Sequence, residues 1–329
     1  MVTKRLIGDS GIDVAPLALG GNVFDWTADE AASFAVLDAF VDAGGTMIDT
    51  ADVYSAWAPG HTGGESEALI GRWLKRDPVR RARVVIATKV GFLDGAMVDG
   101  EYVAALDPDI VARACDASLD RLGIDTIDLY YQHRDSEAVP LADSLGAFEL
   151  LREQGKIRAT GLSNFAAERV DEAVSVARTC GYLPPVALQP MYSLVERQAF
   201  EGELRDAAIR NGLGVFPYFS LANGFLTGKY RSRDDVSKSV RGGRTMKYLD
   251  GNGPRVLAAL DEVAAATGAA LATIALAWLM AQPAITAPIA SATSVDQLTD
   301  LTAAMHLTLT LDQLARLDAA SAEAVPANA

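Results

Sequence analysis

The chain has 329 residues, half of them hydrophobic, enough to bury one barrel-sized core or two smaller ones. Its formal net charge of -14 excludes nucleic acid and acidic membrane surfaces as expected partners, because both are held by clustered Lys and Arg. Residues 1–10 carry no signal-like apolar run and no stretch reaches about 18 uninterrupted apolar residues, so a cytoplasmic chain is expected. Cys115 and Cys180 lie in amphipathic patterns and read as reduced, buried thiols, not as a disulfide or zinc site.

The first elements form a hairpin, with residues 4–7 and 12–14 flanking the turn Gly8-Asp9-Ser10-Gly11. Strand-length apolar runs follow at 16–19, 46–49, 84–89, 126–132, 157–163, 186–189, 214–218 and 285–289. Helix-period stretches separate them at 29–43, 65–75, 107–122, 141–153, 166–180, 201–211, 269–281 and 295–304, with Asp29, Asp107 and Ser294 as capping residues. Eight βα units of this length match an α/β fold of the closed parallel kind, a (β/α)8 TIM barrel spanning 1–321 as one domain, with 322–329 as a flexible tail. An open doubly wound sheet competes, but its G-x-G-x-x-G fingerprint does not occur, nor does a P-loop.

Two loops break the regular spacing, one over 56–63 and a long one from Asn223 to about Gly253. The long loop contains Lys229, Arg231, Arg233, Lys238, Arg241, Arg244 and Lys247 against only two neighbouring acids, Asp234 and Asp235. It reads either as an anion site or as a solvated basic loop.

In a TIM barrel the chemistry belongs at the C-terminal ends of the strands. Asp49 and Lys89 end two predicted strands, His133 follows a third, and Tyr54 lies five residues beyond Asp49. Asp49 and Lys89 on neighbouring strands invite pairing, either as a rim salt bridge or as part of a site. Carbonyl reduction needs a proton delivered to oxygen as hydride reaches carbon, and a phenol with an ordinary pKa of about 10 is a poor donor near neutrality. A lysine ammonium about 4 Å away is worth about 4 kcal/mol at an effective dielectric near 20, so even half of that lowers the phenol by more than about one pH unit. Asp49 would keep Lys89 charged and aimed, and His133 would steer the carbonyl oxygen towards Tyr54. Of three histidines, His61 and His306 have less suggestive settings, and no metal spacing is present.

The runs Ile48-Asp49-Thr50-Ala51-Asp52-Val53-Tyr54, Ala87-Thr88-Lys89 and Tyr131-Gln132-His133 resemble the Asp-Tyr-Lys-His tetrad of the aldo-keto reductase family, and the likeness covers nearly the whole chain. The hairpin and long loop are more similar to its bacterial and potassium-channel-β-like branch than to mammalian aldose reductases. The resemblance implies NADPH as cofactor, with NADH as the alternative, bound outside a Rossmann fold. It implies that Ser163, Asn164 and Gln189 hold the nicotinamide carboxamide and that Tyr218 stacks on its ring. Leu221–Lys229, with Leu221, Asn223 and Lys229, resembles the pyrophosphate loop, and Gly21, Asn22, Phe219, Ser220 and Arg241 are further expected cofactor contacts. Ser291, Thr293, Gln297 and Asp300 correspond to the last cofactor loop, although Thr293 stands where an arginine for the 2′-phosphate is common and Leu301 where an Asn is expected.

Phe24, Trp26, Trp57, Tyr192 and Phe219 follow predicted strands and are expected to wall an aromatic cleft for a carbonyl or alcohol substrate with substantial apolar area. No anion-reading residue stands out near Trp57. Three rival readings are a dinucleotide-binding regulatory barrel with little turnover, a carbon–carbon double-bond reductase, and a Schiff-base enzyme using Lys89. The tetrad opposes the first, and His133, which glutamate replaces in double-bond reductases of the family, opposes the second. Oligomeric state, substrate identity and reaction direction stay open.

Overall fold

Short β-branched runs form strands here because both of their faces are covered, one by the barrel interior and one by helices. The computed structural model describes residues 2–98 and 101–322. The tail expected at 322–329 lies, beyond Ala322, outside the described residues.

Strands β1 (Arg5–Leu6) and β2 (Asp13–Val14) form the expected antiparallel hairpin. The barrel strands are β3 (Ala18–Gly20), β4 (Met47–Asp49) and β5 (Val85–Val90), then β8 to β12 after an antiparallel insertion, β6 (Ala96–Val98) with β7 (Glu101–Val103). The remaining five are β8 (Ile127–Gln132), β9 (Ile157–Ser163), β10 (Ala187–Gln189), β11 (Gly214–Val215) and β12 (Ile289–Ala290). All eight barrel strands pair in parallel in the order β11-β10-β9-β8-β5-β4-β3-β12. The two ends of that order meet, since Thr286 N donates to Val215 O and Ile289 N to Pro217 O, each at 2.8 Å. The sheet therefore closes into a TIM barrel. Strand β11 is shorter than expected because Pro217 has no N–H to give the ladder.

The helices are α1 (Glu30–Asp42), α2 (Glu65–Lys75), α3 (Val79–Arg83), α4 (Pro108–Leu122), α5 (Leu141–Glu153) and α6 (Ala167–Cys180). The second half adds α7 (Glu203–Arg210), α8 (Met246–Leu249), α9 (Gly253–Thr267), α10 (Leu271–Met280), α11 (Val295–Ala303) and α12 (Leu311–Ser321). Asp29 and Ser294 cap α1 and α11 by accepting backbone N–H groups. Asp107 does not cap α4 through its side chain; Pro108 opens that helix instead. Helices α3, α8, α9 and α12 were not expected, although Thr310 and Gln313 form a capping box that signals the last of them in sequence. Cys115 is buried, but Cys180, at the last residue of α6, is exposed, contrary to expectation.

Inside the barrel, Met47, Ala87, Leu129, Tyr131, Ala187 and Phe216 share one apolar cluster with Ile7, Ile12 and Val14 of the hairpin. The hairpin turn lies against the residues that precede β10 and β11, as the approach of Gly8 to Val186 O and Gly212 O shows. It thus seals the N-terminal end and leaves the C-terminal mouth for the site. No single described helix is long and apolar enough to cross a membrane. The pair α9 and α10 passes by length and composition together, but bends by 97° and packs its apolar residues into the core.

Candidate active site

Parallel pairing puts the ends of β4, β5 and β8 on one rim, with Asp49 opposite Ala87 and Lys89 opposite Tyr131. The chain then turns back over the rim: Thr50 N donates to Ala87 O, Asp52 N to Lys89 O, and Tyr54 N to Ala51 O. These turns swing the Tyr54 phenol over Lys89, whose Nζ lies 3.0 Å from the hydroxyl. Lys89 Nζ also donates to Asp49 Oδ2 and to Thr50 O, both at 2.7 Å, while the Tyr54 hydroxyl lies 3.3 Å from Asp49 Oδ2. Gln189 Nε2 holds the other carboxylate oxygen of Asp49 at 2.9 Å. The ion pair is 0% and 1% exposed at Lys89 and Asp49, so it is an interior pair and not a rim salt bridge. His133 completes the group, its ring centroid 6.1 Å from that of Tyr54, with its carbonyl fixed by Asn164 Nδ2 at 2.8 Å.

The electrostatics correct one expectation. Burial pushes the Tyr54 phenol well above its ordinary pKa, and the Asp49 carboxylate adds to the rise. Lys89, itself lowered by burial and pulled back up by Asp49, does not reverse this. The physical reason is that burial strips the phenolate of its hydration first, and the negative charge of Asp49 disfavours it next. Although part of Tyr54 faces the cleft, its hydroxyl is enclosed and stays protonated through the neutral range. Burial, and next the Lys89 charge, hold His133 well below the usual histidine value, as a neutral imidazole.

Around the mouth, Asp25, Ser55, Asn164, Phe219, Ala222 and Asn223 all take left-handed backbone conformations that side chains other than glycine avoid. Such a concentration in βα loops marks backbone shaped for a ligand. Ser163 Oγ donates to Gln189 O, and Tyr218 OH donates to Asn164 Oδ1 at 2.7 Å, so the residues expected at the nicotinamide form one connected patch beside His133. Ser220 Oγ ties back to Pro217 O, and Leu221 opens the turn that carries Asn223. Ser291 Oγ donates to Asn22 Oδ1 at 2.6 Å, and a Cβ on Gly20 would lie 2.5 Å from that Oγ, which joins the first and last βα loops just beside Gly21. Thr293 contacts Gln297 through both its N–H and hydroxyl. Asp300 lies one turn further along α11 on the exposed side, whereas Leu301 is buried in the core and faces away from any ligand there.

The residues present fit a dinucleotide. Asn223 Oδ1 is buried without a partner among the described residues, an acceptor for a ligand hydroxyl or amide N–H, and the loop cations suit the phosphates. In the basic loop, Arg231, Arg233, Lys238 and Lys247 are paired with Asp261, Asp250, Asp235 and Glu196. Lys229, Arg241 and Arg244 have no carboxylate partner among the described residues, so their charge is uncommitted. Arg241 lies over the Trp26 ring at 5.8 Å, which carries the long loop across to the first one.

The cleft wall differs from expectation. Trp26 and Trp57 meet edge to face at 5.6 Å, and Trp57 lies 6.0 Å from Tyr54, so both line the approach. Phe219 is exposed beside Tyr218. Phe24 is fully buried in the core and Tyr192 is 1% exposed, packed on Phe200 and Trp278 with its hydroxyl on Glu201, so neither is a pocket wall. Their positions after strands were the right criterion for the loop but not for the face. Phe92, three residues after Lys89, was missed: its ring stands edge-on to His133 at 4.5 Å. The criterion that found Trp57, an aromatic residue in a loop after a strand, would have found it.

Residues 16–322 match the model of the Aldo/keto reductase family. The chain is 34% identical over 315 residues to the "Uncharacterized oxidoreductase YrpG" of Bacillus subtilis, covering 95% of this chain and 94% of that one. It is 33% identical over 285 residues to aldo-keto reductase yakc of Schizosaccharomyces pombe, named for NADP(+), covering 85% and 79%. To the L-glyceraldehyde 3-phosphate reductase of Escherichia coli K12 it is 30% identical over 323 residues, covering 95% and 91%.

Proposed function

The chain belongs to the aldo/keto reductase family of NADP(H)-dependent oxidoreductases acting on carbonyl compounds, and we propose that it reduces an aldehyde or ketone to an alcohol with Tyr54 as proton donor. The hydride for the carbonyl carbon would come from reduced nicotinamide when it is bound. The observation that carries the reading is the Tyr54 hydroxyl, 3.0 Å from Lys89 Nζ and beside a neutral His133.

A carbonyl oxygen entering past the Trp26–Trp57 pair meets the Tyr54 hydroxyl and the His133 imidazole. As negative charge grows on that oxygen, the phenol releases its proton to it, and the Lys89 ammonium stands where the phenolate charge develops. Without Lys89, burial would hold the proton more tightly still. Asp49 keeps the ammonium charged, and Gln189 keeps Asp49 oriented. A phenol that is protonated at neutral pH suits reduction; alcohol oxidation, the reverse, requires the phenolate. Ser163, Asn164, Gln189 and Tyr218 would hold the nicotinamide end, and Asn223, Lys229, Arg241, Ser291, Thr293 and Gln297 the phosphates and adenosine.

The apolar walls favour aromatic aldehydes over free sugars. The test is NADPH oxidation with a panel of aromatic aldehydes, dicarbonyls, sugars and bulky cyclic ketones. Turnover of the aromatic aldehydes ahead of the sugars supports the reading. No oxidation above background with any of them contradicts it.

A further inference from the structure

Strand alternation points Lys89 into the barrel mouth and its neighbour Thr88 outward, towards α2 and α4. A second buried group of charges lies on that outer side. Glu67 of α2 is fully buried; Oε1 accepts the Thr88 hydroxyl at 2.6 Å and Oε2 accepts Arg121 Nε of α4 at 2.7 Å. The helices come this close because α2 carries Gly71 at the contact, where a Cβ would lie 2.2 Å from Arg121 O. Asp52, 1% exposed, joins the group from the β4 loop, its N–H on Lys89 O and its Oδ1 without a hydrogen-bond partner among the described residues.

Counting charge leaves one acid over. Asp49 is matched by Lys89 and Glu67 by Arg121, while Asp52 has no cation of its own among the described residues and Asp94 adds a further negative charge nearby. An ionised carboxylate buried without a counter-ion is costly, and holding a proton removes the cost. We propose that Asp52 is carried as a neutral acid behind Lys89, a positioning residue whose ionisation sets the alkaline limb of carbonyl reduction. The second half rests on the reductase reading above; the first does not.

The surroundings agree. Burial, and next Glu67, push the Asp52 carboxyl up to about 8, against the opposing Val53 N–H and Arg121. The groups that sense its charge are Tyr54, Lys89 and Tyr130. When Asp52 ionises, the added negative charge raises Tyr54 further, so the phenol gives up its proton less readily and reduction slows.

Two measurements test this, using the full-length chain and its Asp52→Asn and Asp52→Glu variants. The first is Tm against pH, which needs no activity. Native Asp52 keeps a proton that the unfolded carboxyl releases near its ordinary value of about 4, so stability falls as pH rises from about 4 to about 8 and then levels. The amide of Asp52→Asn binds no such proton, so the wild-type Tm should fall relative to that variant across this window, while Asp52→Glu follows the wild type. The second is kcat/KM for an aromatic aldehyde against pH. The wild type should decline above about pH 8, Asp52→Asn should shift that decline upward by at least about one unit, and Asp52→Glu should keep it. Parallel Tm profiles overturn the neutral acid, and a limb unmoved by Asp52→Asn overturns its control of the reaction. Diverging Tm profiles with no turnover at any pH support the neutral acid and defeat the reductase reading instead.

Discussion

The tetrad and the long basic loop both concentrate charge at the barrel mouth, and they treat it in opposite ways. In the tetrad the charges are committed: Lys89 to Asp49 and Thr50, and Asp49 in turn to Gln189. In the loop some are committed, as Arg231 is to Asp261, and others, Lys229 and Arg241, are not. The difference reflects what each region must do. A proton-transfer site works by holding its charges in place before the substrate arrives. A phosphate site works by keeping cations free until the ligand supplies the anion.

The comparison can be broken most forcefully at the committed end. Asp49→Asn leaves the Lys89 ammonium buried without its counter-ion, and removing one partner of such a pair costs about 3–5 kcal/mol. Urea unfolding should show a loss of that order; a loss near zero would mean that the pair is not the anchor described. At the uncommitted end, Arg241→Gln or Lys229→Gln should leave stability nearly untouched. Each should instead weaken NADPH binding about ten- to a hundredfold, the worth of one charge-assisted hydrogen bond. Fluorescence titration with NADPH measures this. The smallest effect is expected from Arg231→Gln, whose guanidinium is already spent on Asp261 at the surface. NADPH affinity should stay within about twofold and stability within about 1 kcal/mol. Equal weakening by Arg231→Gln and Arg241→Gln would erase the distinction between paired and free cations.

The two regions also differed in how readily they could be seen in sequence. Asp49, Lys89 and His133 each terminate or follow a buried apolar run, so strand periodicity alone placed them on one rim, and the spacing to Tyr54 brought the phenol with them. The barrel was legible for the same reason, since eight βα alternations leave few other solutions. In the loop, sequence showed seven cations but not which ones were neutralised. Their partners, Asp261, Asp250 and Glu196, lie 17 to 51 residues away and meet them only through the fold. Tyr192 and Phe24 were misplaced because a loop residue can turn either to the cleft or to the core, and no short-range pattern fixes which. Asp52 and Glu67 were passed over because their meaning lies in burial and in a charge count across four elements, which one-dimensional spacing does not reveal. The same limit explains Tyr54, where proximity to Lys89 and a partial loss to desolvation were foreseen, but not that burial would dominate and that Asp49 would add to it.

The central claim, that Tyr54 donates the proton, is tested most directly by Tyr54→Phe, which removes one oxygen and little else. NADPH affinity and single-turnover reduction of an aromatic aldehyde should be measured side by side. The account predicts an NADPH Kd within about twofold of wild type and a reduction rate lower by about 10²–10⁴, the usual contribution of a general acid. A Tyr54→Phe variant that binds NADPH and still reduces the aldehyde at the wild-type rate would contradict it.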